Sequence, residues 1–317
     1  MRVVRIVVTG ATGFLGGHLC RHLHHLGHEV IGLGRDAAKG AALKIDGIGF
    51  HALDLSQPGP GLSLPPVDAF IHAAALSSNW GPRKAFQAAN VTGTQNALAL
   101  SDRLGADRFV FISSPSVYFR FRDQLDQNEN DPLPPPVNAY AESKQQAEAL
   151  VRAHPNAVII RPRGLYGRGD TTLLPRLVRA AKDGALPLLR HGDAVTDLTH
   201  VDDVVGGITC ALMSRATGTY NISGGAPQTI KSIIEQTCGH AGITPRFTGI
   251  PVGLALFAAR TAELLARLTP GQPEPIFTTY SVGVMAYSQT LDLTAARRGL
   301  GYAPQIDFAN GLRRTFA

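Results

Sequence analysis

The sequence has little cysteine. Cys20, Cys210 and Cys238 are the only three in 317 residues. They are scattered and form no C-x-x-C pair, so a disulfide framework is excluded and they read as packing residues in a reducing compartment. Dense runs of one charge are also missing. The formal net charge is +6, but the basic residues are dispersed. That implies mild attraction for anionic ligands and argues against nucleic acid as a partner. Long apolar runs are missing too. The longest, Val252 to Leu268, is interrupted by Arg260, Glu263 and Arg267. It cannot span a bilayer, so no stable membrane insertion is expected. A core or pocket-lid helix suits it better than an amphipathic helix lying on a membrane. The first strand is expected from residue 3, which leaves no room for a signal peptide and points to the cytoplasm. No internal repeat and no flexible linker interrupts the chain.

What is present suits a globular protein. The chain is 44% hydrophobic and 17% charged, enough for one large or two medium domains with a sizeable core. Its first seventeen residues, MRVVRIVVTGATGFLGG, organise the rest. Val3 to Val8 is rich in β-branched residues, as a buried strand is. Gly10, Gly13 and Gly16 follow, then a helical stripe of Leu15, Leu19, Leu23 and Leu26. In that context each glycine has a distinct use. Gly10 allows a tight turn, Gly13 lets the backbone approach a pyrophosphate, and Gly16 lets the helix pack on the strand. The helix N-terminus then offers free N–H groups to the anion. A ligand-free βα turn is the plainer alternative, and the strand–turn–helix setting favours a dinucleotide.

A second strand over Glu29–Leu33 ends at Gly34 and Arg35. An NAD enzyme would place an acid near here to hold the adenosine ribose. Gly34 has none, Asp36 is one position late, and Arg35 can pair with a 2′-phosphate. NADP is therefore expected, with NAD as the alternative. Gly49–Leu53 reads as a weak third strand before Asp54 and Leu55, which can meet an adenine edge. Ser56–Pro66 reads as a loop. Val67–His72 is a fourth strand running into Ala73, Ala74 and Ala75, whose small side chains leave room for a cofactor. His72 reads as buried. Arg83–Leu104 is one helix or two, Arg108–Ser113 a fifth strand, Asn138–Ala153 a helix and Ala157–Arg161 a sixth strand. This alternation predicts an α/β fold, a parallel sheet with helices on both faces. Val201–Met213 reads as a further helix and Gly218–Ser223 as a further strand returning to it. His18, His22 and His25 share a helix flank, without Cys or acidic partners, and read as a solvated face and not a metal site.

Two local patterns carry possible chemistry. Tyr140 and Lys144 stand four apart on the helix before the sixth strand, so they share a face. An ammonium beside a phenol should lower the tyrosine pKa and make it a usable acid or base. The fifth strand ends in Ser113, Ser114, Pro115 and Ser116. Strand carboxyl ends are where ligands bind in open α/β sheets, and a serine there can hold a substrate oxygen.

Taken together, these residues resemble the extended short-chain dehydrogenase/reductase (NAD-dependent epimerase/dehydratase) family over nearly the whole chain. The carriers are GATGFLG at 10–16, Asp54-Leu55, HAAA at 72–75, NVTGT from Asn90, SSPSVY at 113–118, YAESK at 140–144, RPRGLYG at 161–167, HVDDVV at 200–205, YNISGG at 220–225 and SQTLDLTAARRGLGYAP at 288–304. The resemblance implies a Rossmann doubly wound sheet spanning 1–163 and about 199–225. A smaller, mostly helical substrate lobe would span 164–198 and 226–317. It implies Ser114, Tyr140 and Lys144 as catalytic residues. It implies cofactor contacts from Gly10, Thr12, Gly13, Phe14, Leu15, Gly16, Arg35, Asp54, Leu55, Ala73, Ala74, Ala75, Asn90, Ser113, Tyr140, Lys144, Pro162 and Gly164. Ser77, Ser116 and Tyr166 would face a small-molecule substrate. No metal is implied, and a homodimer is compatible.

Within the family three enzyme readings compete. Dehydratases place an acidic pair after the serine or threonine, where this chain has Pro115 and Ser116. Epimerases carry a diphosphate-binding arginine shortly before the V-x-D motif, where this chain has Val195, Thr196 and Asp197. TDLTHVDD at 196–203 is closest in wording to the 3β-hydroxysteroid dehydrogenase-like branch, which includes β-keto/β-hydroxy acid reductases. That branch implies oxidoreduction of an alcohol or ketone on an apolar molecule. A nucleoside-diphosphate-sugar epimerase is the first alternative. A non-catalytic NADP-sensing protein is the second, disfavoured because Tyr140 and Lys144 are both kept.

Overall fold

The computed structural model describes residues 3–57 and 62–316. Residues 58–61 of the loop expected over 56–66 lie outside that range, and 62–66 carry no regular structure. Seven parallel strands form the central sheet: β1 (Arg5–Thr9), β2 (Glu29–Gly34), β3 (Gly49–Ala52), β4 (Ala69–His72), β5 (Arg108–Ile112), β6 (Ala157–Pro162) and β7 (Gly218–Ile222). Their order is β3-β2-β1-β4-β5-β6-β7. The order reverses beside β1, between β2 and β4, which makes the carboxyl edge there the place for a ligand.

The sheet is buried on both faces, so its strands read as apolar runs. Successive β1 residues feed opposite cores. Ile6 and Val8 pack with Leu19 and Leu23 of α1 (Phe14–His25), while Val7 packs with Phe70, Leu100 and Val151. The remaining covering helices are α2 (Ala37–Ile45), α3 (Gly93–Arg103), α4 (Ala139–Arg152) and α5 (Val201–Met213). The helical stretch expected over Arg83–Leu104 is broken by a π-helical segment, Gln87–Thr92. That wider turn holds Asn90 inward, as π-segments at functional sites tend to do.

Helices make up most of the regular structure of the remaining lobe, as its sequence implies, and short strands accompany them. It carries a four-stranded sheet in the order Gln228–Thr229, Val195–Thr196, Gln289–Leu291, Gln124–Gln127. Two further strand pairs join Leu165–Tyr166 to Thr199–His200 and Leu186–Leu188 to Phe247–Gly249. Strands this short show no alternation that a sequence can reveal. The helix α6 (Val252–Leu268) packs on α7 (Thr279–Ala286) through Ala259 and neighbours. It is an outer helix and not a core one, with Leu254, Phe257, Leu264, Leu265 and Leu268 exposed. Just beyond it, the Trp80 indole N–H donates to the Gln272 carbonyl at 2.9 Å and so ties the β4 loop to the lobe. Among the described residues, no helix is long and apolar enough to cross a membrane.

Candidate active site

The glycine turn is built for close approach. Gly10 adopts φ 71°, and a Cβ there would stand 2.8 Å from the Ala74 nitrogen. A Cβ on Gly16 would lie 2.1 Å from the Gly10 carbonyl oxygen. Both positions therefore exclude any side chain. Gly13 is the N-cap of α1 and supplies no side-chain cap, so the first helical N–H groups are left for a ligand. This uncapped cradle fits a dinucleotide pyrophosphate. Thr12, Phe14 and Leu15 complete the turn, and Ala73, Ala74 and Ala75 lie across from it. The Ala74 N–H donates to the Thr9 hydroxyl at 3.1 Å, fixing that edge.

At the adenosine end, a Cβ on Gly34 would come within 2.8 Å of the Thr12 hydroxyl oxygen, so the position has no room for an acid. Asp36 caps α2, accepting from the Lys39 N–H at 3.0 Å. Arg35 is exposed and acts electrostatically on Asp54. The Asp54 carboxylate accepts the Ser56 N–H at 2.9 Å and the Ser56 hydroxyl at 2.8 Å, and these bonds hold its pKa below the usual carboxylate range. Leu55 is buried beside it.

The reacting groups meet where β4 and β5 end. Ser114 and Ser77, from two loops, lie beside the Tyr140 phenol. Burial raises the phenol pKa, and the two serine hydroxyls pull it back only in part. The lowering expected from Lys144 is not what the structure shows. The Lys144 ammonium donates to the Ile112 carbonyl at 2.8 Å and lies 4.8 Å from the centre of the Phe111 ring. It serves the strand end, leaving Tyr140 a protonated phenol. Burial lowers the Lys144 pKa to about 8, opposed by the nearby Glu148 carboxylate.

Behind Lys144 lies a buried ionic network that the sequence did not announce. The Glu148 carboxylate accepts from the Ser113 hydroxyl at 2.6 Å and from Arg161 Nε at 2.8 Å. Arg152 adds a bond at 2.6 Å from the helix surface. Arg161 also donates to the Tyr118 hydroxyl, which in turn donates to Asn221 Oδ1 at 3.0 Å. Glu148 and Arg161 are both fully buried. The available hints were an arginine inside the apolar strand AVIIRP and a glutamate four residues past Lys144.

Three expected contacts take other roles. Ser113 turns its hydroxyl into this network and away from the cofactor edge. Asn90 accepts the Leu76 N–H at 2.7 Å and donates to the Leu76 carbonyl at 3.2 Å and the Ser143 hydroxyl at 2.9 Å. It therefore clamps the loop carrying Ser77 to the helix carrying Tyr140. Tyr166 is 1% exposed, sealed between His200 and Phe308, so it does not face a substrate. Pro162 is buried at the end of β6, and Gly164 (φ 52°) packs against the backbone at Asp197. Ser116 is buried, with its hydroxyl unpartnered among the described residues. His72 is sealed inside, its pKa pushed down to about 3 by burial. His18 and His25 bond backbone carbonyls, and among the described residues no cluster could hold a metal.

The chain is similar to known proteins over nearly its whole length. A 2-alkyl-3-oxoalkanoate reductase of Stenotrophomonas maltophilia is 32% identical, over 98% of each chain. A sterol-4-alpha-carboxylate 3-dehydrogenase (decarboxylating) of Candida albicans is 26% identical, over 98% of this chain and 96% of its own. In fold, the chain matches the UDP-glucuronic acid 4-epimerase of Bacillus cereus in complex with NAD, with a TM-score of 0.75 at 22% identity, covering 98% of this chain and 97% of the other. The profile of the NAD dependent epimerase/dehydratase family matches residues 6–223. The chain belongs to that family and is an NAD(P)-dependent oxidoreductase of the extended short-chain dehydrogenase/reductase type.

Proposed function

We propose that the protein interconverts a secondary alcohol and a ketone on a largely apolar molecule, of the β-hydroxy/β-keto acid or 3β-hydroxysteroid type, with NADP(H) preferred over NAD(H). The observation that carries this reading is the Tyr140 phenol, kept protonated by burial beside Ser77 and Ser114, with Pro115 and Ser116 where a dehydratase would need acids. The names of the two relatives above describe the same kind of change. The glycine turn, Asp54-Leu55 and the alanine edge would hold the dinucleotide, which when bound supplies hydride in one direction and accepts it in the other.

The chain's own residues manage the proton. In reduction, the Tyr140 hydroxyl donates to the carbonyl oxygen, and the Ser114 hydroxyl hydrogen-bonds that same oxygen as it gains charge. Lys144, one helical turn away, holds its ammonium on the Ile112 carbonyl and so fixes the helix carrying Tyr140 against the strand end that leads to Ser114. Ser77 keeps the phenol oriented, and Asn90 keeps Ser77 in place through Leu76. The substrate sits between the sheet edge and the lobe of 164–198 and 226–317.

The test is a direct comparison of nicotinamide absorbance with apolar ketones or alcohols against conversion of UDP- or dTDP-sugars. Net cofactor turnover with the ketones is expected. Sugar epimerisation with no net cofactor change, and silence with every ketone, would make the protein an epimerase instead. Cofactor binding without turnover of either class would favour the sensor.

A further inference from the structure

Arg163 follows β6 and is 7% exposed. Its guanidinium donates through Nε and Nη2 to the Thr196 hydroxyl, at 3.2 and 2.7 Å, and through Nη1 to the Gln289 side-chain oxygen. Both acceptors are neutral. Among the described residues no carboxylate stands within 4.0 Å of the group. A buried guanidinium without an ionic partner is costly, and in folded proteins such charges are normally paired. Asp197 acts on it electrostatically from beyond that distance. That carboxylate is buried and accepts the Leu291 N–H at 3.3 Å, and its other oxygen has no partner among the described residues.

The position is on the ligand side. Arg163 leaves the carboxyl end of β6, where this fold binds ligands. Gln289 ties it to the catalytic loop, donating to the Pro115 carbonyl at 3.4 Å, between Ser114 and Ser116. Tyr280 of α7 is coupled electrostatically both to Arg163 and to Tyr140. Thr196 lies in the short stretch where epimerases of the family carry their diphosphate arginine. Here the positive charge reaches that stretch from another segment of the chain.

A guanidinium has five N–H groups. Three are used, which leaves one on each terminal nitrogen without a partner among the described residues. That pair matches the two oxygens of a carboxylate, as arginine forks commonly do. We infer that Arg163 is a substrate-binding residue, holding an acid group of the substrate as its carboxylate. This rests on the proposed alcohol/ketone reading and sharpens it, because the protein would then discriminate free acids from their esters. The names of both relatives above include a carboxylate.

The experiment measures kcat/KM for oxidation of a long-chain 2-alkyl-3-hydroxyalkanoate and of its methyl ester with NADP. The wild type is expected to favour the acid, on the order of 10²-fold and mainly through KM. Arg163→Gln should abolish that preference, with the loss falling on KM for the acid. Arg163→Lys, which keeps the charge without the fork, should restore it in part. Equal loss on acid and ester in Arg163→Gln, or no preference in the wild type, would overturn the assignment. Competition by UDP that disappears in Arg163→Gln would also overturn it, in favour of a diphosphate. A separate measurement isolates the inference from the reaction: binding of an unreactive 2-alkylalkanoate to the protein–NADP complex, by calorimetry. Arg163-dependent binding without turnover of any hydroxy acid would leave the carboxylate site standing and remove the proposed reaction. Turnover with Arg163-independent binding would do the reverse.

Discussion

Arg161 and Arg163 are two residues apart, both buried, and they live in opposite electrostatic worlds. Arg161 points into the sheet core and meets the fully buried Glu148, with the Tyr118 hydroxyl taking a further donor. Arg163 points to the lobe, and among the described residues its hydrogen-bond partners are Thr196 and Gln289. The first circuit is closed within the protein, and the second leaves donors free. Alternation along an extended strand sends positions 161 and 163 to the same side of the pleat, so the change comes from the chain leaving the sheet at Pro162. The same contrast runs along α4. Tyr140, Lys144 and Glu148 are spaced four apart, from the cleft at one end to the closed core at the other. A closed circuit should govern stability, and an open one should govern ligands.

The largest expected effect tests the closed end. Glu148→Ala leaves Arg161 as a buried charge whose main partner is gone, which costs about 3–5 kcal/mol of folding stability. Urea unfolding of the two proteins checks it. A loss below about 1 kcal/mol, the scale of an exposed pair, would mean that the network is not closed as described.

Next comes the open end. Tyr140→Phe removes the proton donor and should lower turnover on the order of 10²-fold or more. Cofactor affinity and the unfolding midpoint should stay close to wild type, because the change removes one hydroxyl and keeps the ring. Near-normal turnover would place the acid elsewhere, and a large stability loss would blur the division between the two ends.

Which of these features the sequence showed follows from how far each interaction reaches. The glycine turn, the strands of the parallel sheet and the Tyr140/Lys144 pair are patterns within a few residues, and the chain folds around them as written. The Arg161–Glu148 bond spans 13 positions and the Arg163–Gln289 bond spans 126. No local period marks such pairs. Gln124–Gln127 joins Gln289–Leu291 in a sheet of the lobe for the same reason, by a long-range pairing of strands too short to show alternation. The tyrosine pKa was misjudged because spacing places Lys144 on the right face but cannot say that Ile112 takes its ammonium.

Lys144 sits between the two ends, and pH sharpens its place. Its pKa is about 8 in the folded protein, against an ordinary 10.5. Above about pH 8 the folded protein loses the ammonium that donates to the Ile112 carbonyl and fixes the Tyr140 helix against the strand end, so kcat/KM should fall along a limb centred there. Glu148 opposes that lowering, so Glu148→Gln should move the limb to lower pH. Stability should behave oppositely. Between about pH 8 and 10.5 the unfolded chain binds the proton that the folded one has released, so this group's contribution rises with pH across that window. A kcat/KM profile flat through pH 10 would show that the lysine charge is not needed or not perturbed.

The smallest effect concerns the far edge of the cofactor site, where both circuits are absent and the charge is in water. Gly34 has no room for an acid beside Thr12, and the Asp36 carboxylate already caps α2. Arg35 is exposed, beside Asp54, and can donate to a 2′-phosphate while keeping most of its hydration. Arg35→Ala should therefore weaken NADP(H) by about tenfold, less than a buried charge-assisted contact would give. NAD(H), which lacks that phosphate, should change by less than about twofold on the same grounds. Because the charge is exposed, the difference should shrink between low and physiological salt as the Debye length contracts. Titration of both dinucleotides at two ionic strengths reads all of this at once. Equal weakening of NADP(H) and NAD(H), or tighter NAD(H) binding in the wild type, would mean that Arg35 does not read the phosphate and that selectivity is set elsewhere.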